Sequence, residues 1–319
     1  MPSVSVIVPA RDASATLPRT LGALAGQDYS GEYEVIIVDD GSRDTTAELA
    51  RGAGPPVIVV QQPQLGPAAA RNRGAATARA PRLAFCDADV FPAPGWLTAG
   101  VGALDSADLV QGRVQPDPEA PRGPFDRTLW IDADVGLWET ANLFVTRRAF
   151  ERAGGFIEWI RPRRGKALAE DVWFGYRALR AGARPAFCAE ALANHAVFAR
   201  RWPDYAGERA RLRFFPAMAA RMPELRRAFL HRRLFLNPRT AQLDAALLAL
   251  AWATHRRRPG ALLAALPYAR SLRRAAVARA ADSDPPVDAA LVAAADLAAD
   301  LIGMAALLYG SLRYRAAVL

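Results

Sequence analysis

Apolar positions follow two regimes along this chain. In the first ninety residues they come as short, nearly continuous runs: S-V-S-V-I-V at 3–8, Y-E-V-I-I-V at 33–38, P-V-I-V-V at 56–60 and the head of L-A-F-C-D-A-D-V-F at 83–91. Runs of this length, rich in Val and Ile and closed by Pro, Gly or Asp, predict strands. Their lack of alternation predicts strands covered on both faces. Between them, Leu17, Leu21 and Leu24 recur at helical spacing within 13–27, a helix is predicted from about 44 to 51, and Gly66-Pro67 opens another that runs to 79. Alternating strands and helices predict an α/β domain with a parallel sheet and helices on both faces.

The pattern continues with a helix at 95–104, a strand at 108–114, a Pro-rich loop at 116–124, a helix at 126–138, a strand at 141–146 and a helix at 147–153 stopped by Gly154-Gly155-Phe156. Residues 157–168 hold Arg161, Arg163, Arg164 and Lys166 and read as a mobile basic loop, followed by a helix at 170–181 and extended pieces at 184–188 and 193–197. From Trp202 onward the regime changes to Ala/Leu/Arg helices, predicted at 204–221, 223–236, 240–256, 260–280 and 287–313. The expected division is a domain over 1–203, with a first half to about 91 and a second over 92–203, and a helical extension over 204–319.

In sheets of this kind ligands bind beyond the carboxyl ends of the strands. Asp39, Asp40, Asp87 and Asp89 all fall at that edge. Read as the end of one strand, Asp87 and Asp89 lie two apart and face the same way. Two such anions repel unless a cation lies near them, and Mg²⁺ takes one or two carboxylates, leaving the rest of its shell to phosphate and water. The plainer alternative is a loop in which both face water. Neither G-x-G-x-x-G nor G-x-x-x-x-G-K-[ST] occurs, which disfavours a dinucleotide enzyme and a P-loop NTPase.

Composition changes this picture little. The 319 residues carry a net charge of +9, almost all of it from Arg, since Lys166 is the single lysine. A basic surface attracts nucleotides, nucleic acid or anionic lipid alike. Cys86 and Cys188 make no disulfide framework and no zinc spacing, and read as small buried hydrophobes of a reducing compartment. No signal peptide is expected from the N-terminal residues, and no run of eighteen uncharged apolar residues predicts a spanning helix.

Six segments in order resemble the family 2 glycosyltransferases of GT-A fold: V-S-V-I-V-P-A-R-D at the start, V-I-I-V-D-D-G-S-R-D-T-T at 35–46, G-P-A-A-A-R-N-R-G at 66–74, C-D-A-D-V at 86–90, A-N-L-F-V-T-R-R-A-F-E-R-A-G-G-F at 141–156 and A-E-D-V-W-F-G-Y-R-A-L-R-A-G at 169–182. The resemblance covers about 3–200 and stops short of the C-terminal third. It implies a GT-A-like, mostly parallel twisted sheet, a nucleoside-diphosphate sugar donor, Mn²⁺ or Mg²⁺, and inversion in one displacement onto an acceptor hydroxyl of a glycan, a lipid-linked sugar or a small molecule.

By that resemblance Asp39 accepts from the nucleotide base, with Pro9 at the same strand edge, Asp87 meets ribose and metal, and Asp89 ligates the metal. Asp40 and Ser42 are donor-site candidates that also fit an ordinary helix-capping turn. Arg71 suits a phosphate or the base, or else is a solvated helix residue. His195, in N-H-A-V-F, is a metal or phosphate contact or a structural histidine. Asp171 is the expected general base, with Glu170 the alternative, about 100° away on the helix; both also suit a helix N-terminus through its dipole. Asp132 and Asp134 repeat D-A-D inside a predicted helix, where they diverge. Trp130, Trp138 and Trp159 are candidates for stacking on an acceptor sugar. Processive relatives carry Q-x-x-R-W, and here Phe198 stands at the Gln position before Arg201-Trp202, which implies transfer of a single sugar.

The C-terminal helices are expected to pack on the core or a second copy, or to form a peripheral membrane face. A cytoplasmic protein, free or at the inner face of a membrane, and no nucleic-acid partner follow. The rivals are a catalytically silent nucleotide-sugar-binding or membrane-docked scaffold, and a sugar-phosphate nucleotidyltransferase, whose Gly-rich loop and Lys after the first strand are absent.

Overall fold

The run at 4–10 becomes a central strand. A computed structural model of the protein describes residues 1–54, 56–158 and 169–319. Its first part is β1 (Val4–Ala10), α1 (Leu17–Ala25), β2 (Tyr33–Asp40), α2 (Thr46–Gly52), β3 (Val57–Gln62), α3 (Pro67–Thr77), β4 (Arg82–Cys86), β5 (Val90–Pro92), α4 (Trp96–Ala103), β6 (Leu109–Pro116), β7 (Asn142–Thr146), α5 (Arg147–Ala153), α6 (Glu170–Arg180) and β8 (Pro185–His195). The strands form one sheet in the order β3-β2-β1-β4-β7-β6-β8-β5. It is mixed: β7 runs against β4 and β6, and β5 against β8, while the other pairings are parallel.

Alternate residues of each strand feed two cores. Val4, Val6 and Val8 pack with Leu17 and Leu24 of α1 and with Trp96 and Leu97 of α4. Ile7, on the opposite face of β1, packs with Ala70 of α3, Phe150 of α5 and Phe174 of α6. Burial on both faces explains the near-continuous apolar runs.

Three local expectations change. The strand expected over 83–91 ends at Cys86; Asp87, Ala88 and Asp89 form a turn before β5, so the two acids do not share one strand face. The helix expected at 126–138 is instead irregular chain with isolated bridges from Arg127 to Phe198 and from Ile131 to Val114. Between the buried Ile131 and Trp138, residues 132–135 are all exposed, so no buried apolar side chain recurs at the three- to four-residue spacing of a helical face. The pieces expected at 184–188 and 193–197 join in β8, with an irregularity in register opposite Gly112 and Arg113. The basic loop expected at 157–168 lies, from 159 on, outside the described residues.

The described chain divides into two units, Met1–Ala120 with Thr128–Ala196, and Pro121–Arg127 with Val197–Leu319. The second is helical: α7 (Trp202–Glu208), a 3-10 segment Arg209–Phe214, α8 (Phe215–Arg221), α9 (Leu225–Ala228), α10 (Pro238–Arg256), a 3-10 segment Pro259–Ala265, α11 (Leu266–Ala281) and α12 (Ala289–Tyr314). The helix expected over 204–221 is broken because Pro216 fits only a first turn, at the start of α8. The one expected over 223–236 shrinks to α9, and Arg232 and Arg233 beyond it have positive φ. Asn237 and Thr240 form a capping box that fixes the start of α10. By length and composition α12 is apolar enough to cross a membrane, with mean hydropathy 1.9. Asp296 and Asp300 interrupt its apolar run.

Candidate active site

β2 delivers Asp39 and Asp40 to the carboxyl edge of the sheet, and their surroundings separate their roles. Asp39 is buried, accepting from Ser42 N at 3.1 Å and Gln61 Nε2 at 3.0 Å. Asp40 accepts from Gln62 Nε2 at 2.8 Å, Leu65 N at 2.7 Å and Gly66 N at 2.8 Å. It thus braces the turn that launches α3. Gly41 has φ +70°, and a Cβ there would come within 2.9 Å of Gln64 N, so this turn requires glycine. Ser42 Oγ accepts from Asp12 N at 3.0 Å while Asp12 Oδ1 accepts from Arg43 N at 2.8 Å, tying the loops after β1 and β2. Pro9 lies on β1 opposite Val38.

Arg71 is carried inward by α3, whose Ala68, Ala70, Gly74 and Ala75 let the helix lie close against the sheet; a Cβ at Gly74 would run into Ile7. The guanidinium, 5% exposed, donates from Nη2 to Asp87 Oδ1 at 2.7 Å and from Nη1 to Glu170 Oε1 at 3.2 Å. The neighbouring Asn72 grips Phe156, donating to its carbonyl and accepting from its N–H, both at 2.8 Å. Phe156 in turn packs edge-on against Phe85 of β4. The Gly-Gly-Phe stop thereby supports the ground beneath Arg71. Arg71 is not a solvated helix residue; it joins the D-x-D turn to the start of α6.

Glu170 and Asp171 occupy the first turn of α6, and Asp171 Oδ1 accepts from Val172 N at 2.8 Å. Burial, then the charges of Glu170 and Glu139, push the Asp171 carboxyl well above the usual carboxylate range, against the smaller opposing effects of the Val172 N–H and Arg71. Burial chiefly, with Asp134 adding repulsion, raises Glu139 to about 7. Glu139 was not legible as a site residue: it stands alone in W-E-T-A-N, beside a stretch whose pattern suggested a helix. A carboxyl held near neutrality is a common attribute of a proton acceptor.

Asp89 and His195 meet on the other side of the turn. His195, at the end of β8 and paired with Val90, donates from Nδ1 to the Ala196 carbonyl at 2.6 Å, and its Nε2 lies 3.7 Å from Asp89 Oδ2. A carbonyl only accepts, so Nδ1 carries the proton and Nε2 is the ring atom turned to the carboxylate. Two ligands of one octahedral cation stand about 3 to 4.2 Å apart when each bond is roughly 2.1 Å, so this pair fits a divalent ion. The fixed Nδ1 is the usual outer support of a metal-binding imidazole. Among the described residues no group of three or more His, Cys, Asp or Glu is placed to hold a metal; a cation here would take its other ligands from substrate and water.

The structure therefore links Asp87, Arg71, Glu170 and Asp171, pairs Asp89 with His195, and puts Asp39 two strands from Asp87, about 10 Å at ordinary strand spacing. It leaves the second D-A-D out: Asp132 pairs with Arg113 at 3.1 Å, and Asp134 accepts from Gly136 N at 2.8 Å. Trp138 is buried against Gly175 of α6 and offers no sugar platform, Trp130 is exposed, and Trp159 lies outside the described residues. Cys86 is buried and Cys188 half-buried, both as free thiols.

A family model described as Glycosyl transferase family 2 matches residues 5–157. Glycosyltransferase AglE of Haloferax volcanii is 30% identical over 210 residues, 61% of this chain and 67% of that protein. Validoxylamine A glucosyltransferase of Streptomyces hygroscopicus subsp. limoneus is 41% identical over 108 residues, 32% of this chain and 24% of that enzyme. The chain thus spans about two thirds of the first relative and about a quarter of the second. Among solved structures, mannosyltransferase PcManGT from Pyrobaculum calidifontis in complex with GDP-Man and Mn²⁺ aligns at TM-score 0.57 and 21% identity, over 98% of this chain and 87% of that one. TarS 1-349 of S. aureus in complex with UDP-GlcNAc aligns at TM-score 0.52 and 18% identity, over 98% and 92%. At such identities the likeness is one of fold, and the fold is GT-A.

Proposed function

The chain belongs to glycosyl transferase family 2, and from that premise we propose that it moves a single sugar from a nucleoside-diphosphate sugar to an acceptor hydroxyl, with inversion and with Asp171 as general base. The observation that carries this reading is the buried Arg71 bridge between Asp87 and Glu170. It ties the acids of the D-x-D turn to those of a helix start 99 residues beyond Arg71, making one site of two distant segments.

Donor binding falls to Asp39 for the base and Asp87 for the ribose, with Asp40 and Ser42 shaping the loops around them. GDP-Man in PcManGT and UDP-GlcNAc in TarS support a nucleotide-sugar donor without choosing its base. A divalent cation, Mn²⁺ or Mg²⁺, held by Asp89 and His195 with Asp87 beside it, would supply Lewis-acid neutralisation of the departing diphosphate. The acceptor oxygen attacks the anomeric carbon, the bond from that carbon to the diphosphate oxygen breaks, and the hydroxyl proton passes to Asp171. Its raised pKa suits that task, because a base that is too weak takes no proton. Arg71 and Glu170 hold the carboxylate environment rather than exchange the proton. Transfer of one sugar rather than a polymer rests on Phe198 in place of glutamine.

The test is calorimetric binding of several nucleoside-diphosphate sugars with and without Mn²⁺, followed by turnover of the best binder. Asp171→Asn should lower kcat at least about a hundredfold while leaving donor affinity unchanged, and a chelator should abolish turnover. Turnover that survives either treatment would remove the reading. Donor binding with no turnover under any metal would mark a binding scaffold instead.

A further inference from the structure

α12 is built inside out for a helix facing water. From 290 to 312 every exposed position is Ala, Leu, Ile or Tyr. Leu291, Leu297, Leu301, Ile302, Leu308, Tyr309 and Leu312 are its large exposed side chains, the last 82% exposed. The acids of this helix turn the other way. Asp296, 1% exposed, accepts from Tyr205 Oη at 2.9 Å and pairs with Arg279 and, at 3.3 Å, with Arg239. Asp300 accepts from Arg239 Nε at 2.7 Å and Tyr268 Oη at 2.8 Å. A water-facing helix places charge outward and apolar groups inward; the reverse arrangement fits an apolar medium outside.

A second exposed apolar group sits at the turn from α10 to α11, where Trp252, Leu262, Leu263 and Leu266 flank the exposed Arg256, Arg257 and Arg258 in sequence. The Arg256 guanidinium lies 5.3 Å from the Trp252 ring centroid. Arg270, Arg273 and Arg274 are exposed on α11, which packs on α12 through Ala276, Ala280, Val292 and Ala295. Residues 197–319 hold 20 arginines against 9 acidic residues, whereas residues 1–196 hold 21 basic and 23 acidic ones. The chain's positive charge is therefore concentrated in the helical unit.

We propose that the outer face of α12 and the α10–α11 turn together dock this protein on an anionic lipid surface, α12 lying along the interface. The charge decides between occupants. A second copy would bring two strongly positive units together, which Coulomb repulsion opposes, whereas phosphate headgroups complement the arginines and acyl chains take the Leu and Trp side chains. The mix of Trp, Leu stems and Arg is one that settles at the boundary between headgroup and hydrocarbon. Crossing the bilayer would drag Asp296 and Asp300 from their arginine partners into hydrocarbon, so the helix lies flat despite its sufficient length. This inference does not depend on the sugar-transfer reading.

The experiment is sedimentation of the full chain with phosphatidylcholine vesicles, plain or containing about a third phosphatidylglycerol. The protein should pellet with the anionic vesicles at low salt and stay in solution with the neutral ones. Arg256→Gln, Arg257→Gln and Arg258→Gln combined should weaken partition on the order of a hundredfold. Leu301→Ser, Leu308→Ser and Leu312→Ser combined should abolish it with the circular dichroism spectrum unchanged. Should that variant not fold, quenching of tryptophan emission by brominated lipid, diminished in Trp252→Phe, reads the same surface. Failure to pellet, pelleting indifferent to both sets of substitutions, resistance to alkaline carbonate extraction, or a stable dimer dissolved by the serine substitutions would each overturn the proposal.

Discussion

Replacing Arg71 by methionine keeps most of the side-chain volume and removes a positive charge held between two carboxylates. Asp87 lies 2.7 Å and Glu170 3.2 Å from the guanidinium nitrogens, and Arg71 is only 5% exposed. At an effective dielectric constant near 20 and roughly 4 Å between charge centres, each attraction is about 4 kcal/mol. Desolvation of the guanidinium offsets part of this, and removing one member of a buried ionic group typically costs about 3–5 kcal/mol because the partners stay behind uncompensated. Against a usual stability of about 5–15 kcal/mol, that is a large loss. Denaturant unfolding at pH 7 should show it directly. Adding Glu170→Gln to Arg71→Met should recover about 1 kcal/mol or more, since the two residues are in contact and their effects cannot add. A loss below about 1 kcal/mol, or strict additivity in the double variant, would refute the idea that Arg71 neutralises both acids.

Two further consequences are open to the same kind of measurement. Glu139, raised from 4.5 to about 7, contributes stability that is full below its unfolded pKa and lost as pH rises through about 7. Glu139→Gln should thus be near neutral at pH 4 and stabilising at pH 8, by up to about 3 kcal/mol. It should also move the acid limb of kcat/KM to lower pH, because Asp171 loses a repelling neighbour; an unmoved limb would separate the two residues. Asn142 is fully buried and bonds Trp96 Nε1 at 2.8 Å, the Arg113 carbonyl at 2.8 Å and the Ala191 carbonyl at 2.7 Å. Asn142→Ala strands all of these groups and should cost about 3 kcal/mol or more in denaturant unfolding; a loss under about 1 kcal/mol would show that the irregularity between β6 and β8 does not depend on it.

The residues whose positions were legible in sequence are those whose signal is local. Asp39 and Asp87 could be assigned to the sheet edge because each follows a short apolar run, and Glu170 and Asp171 to a helix start because an amphipathic pattern begins there. Asp40 and Asp39 read alike in D-D-G-S; that Asp40 braces the turn into α3 is decided by Gln62, Leu65 and Gly66, more than twenty residues away. The joint strand face expected for Asp87 and Asp89 failed because an apolar run does not report where its strand stops pairing. Asn142 lay in a recognised segment, yet its work is to fill the irregularity beside Gly112, where a Cβ would collide with it.

Periodicity and order in the sequence determined the alternating α/β domain, the helical last third, and the edge at which chemistry gathers, since each follows from which neighbours along the chain are apolar. Only the tertiary structure decided that Arg71 faces Asp87 and Glu170, that His195 meets Asp89, and that α12 turns its acids inward and most of its leucines outward. Those facts depend on which surfaces pack together, and a charge reads the same in sequence whether it meets water or an opposite charge buried from another helix.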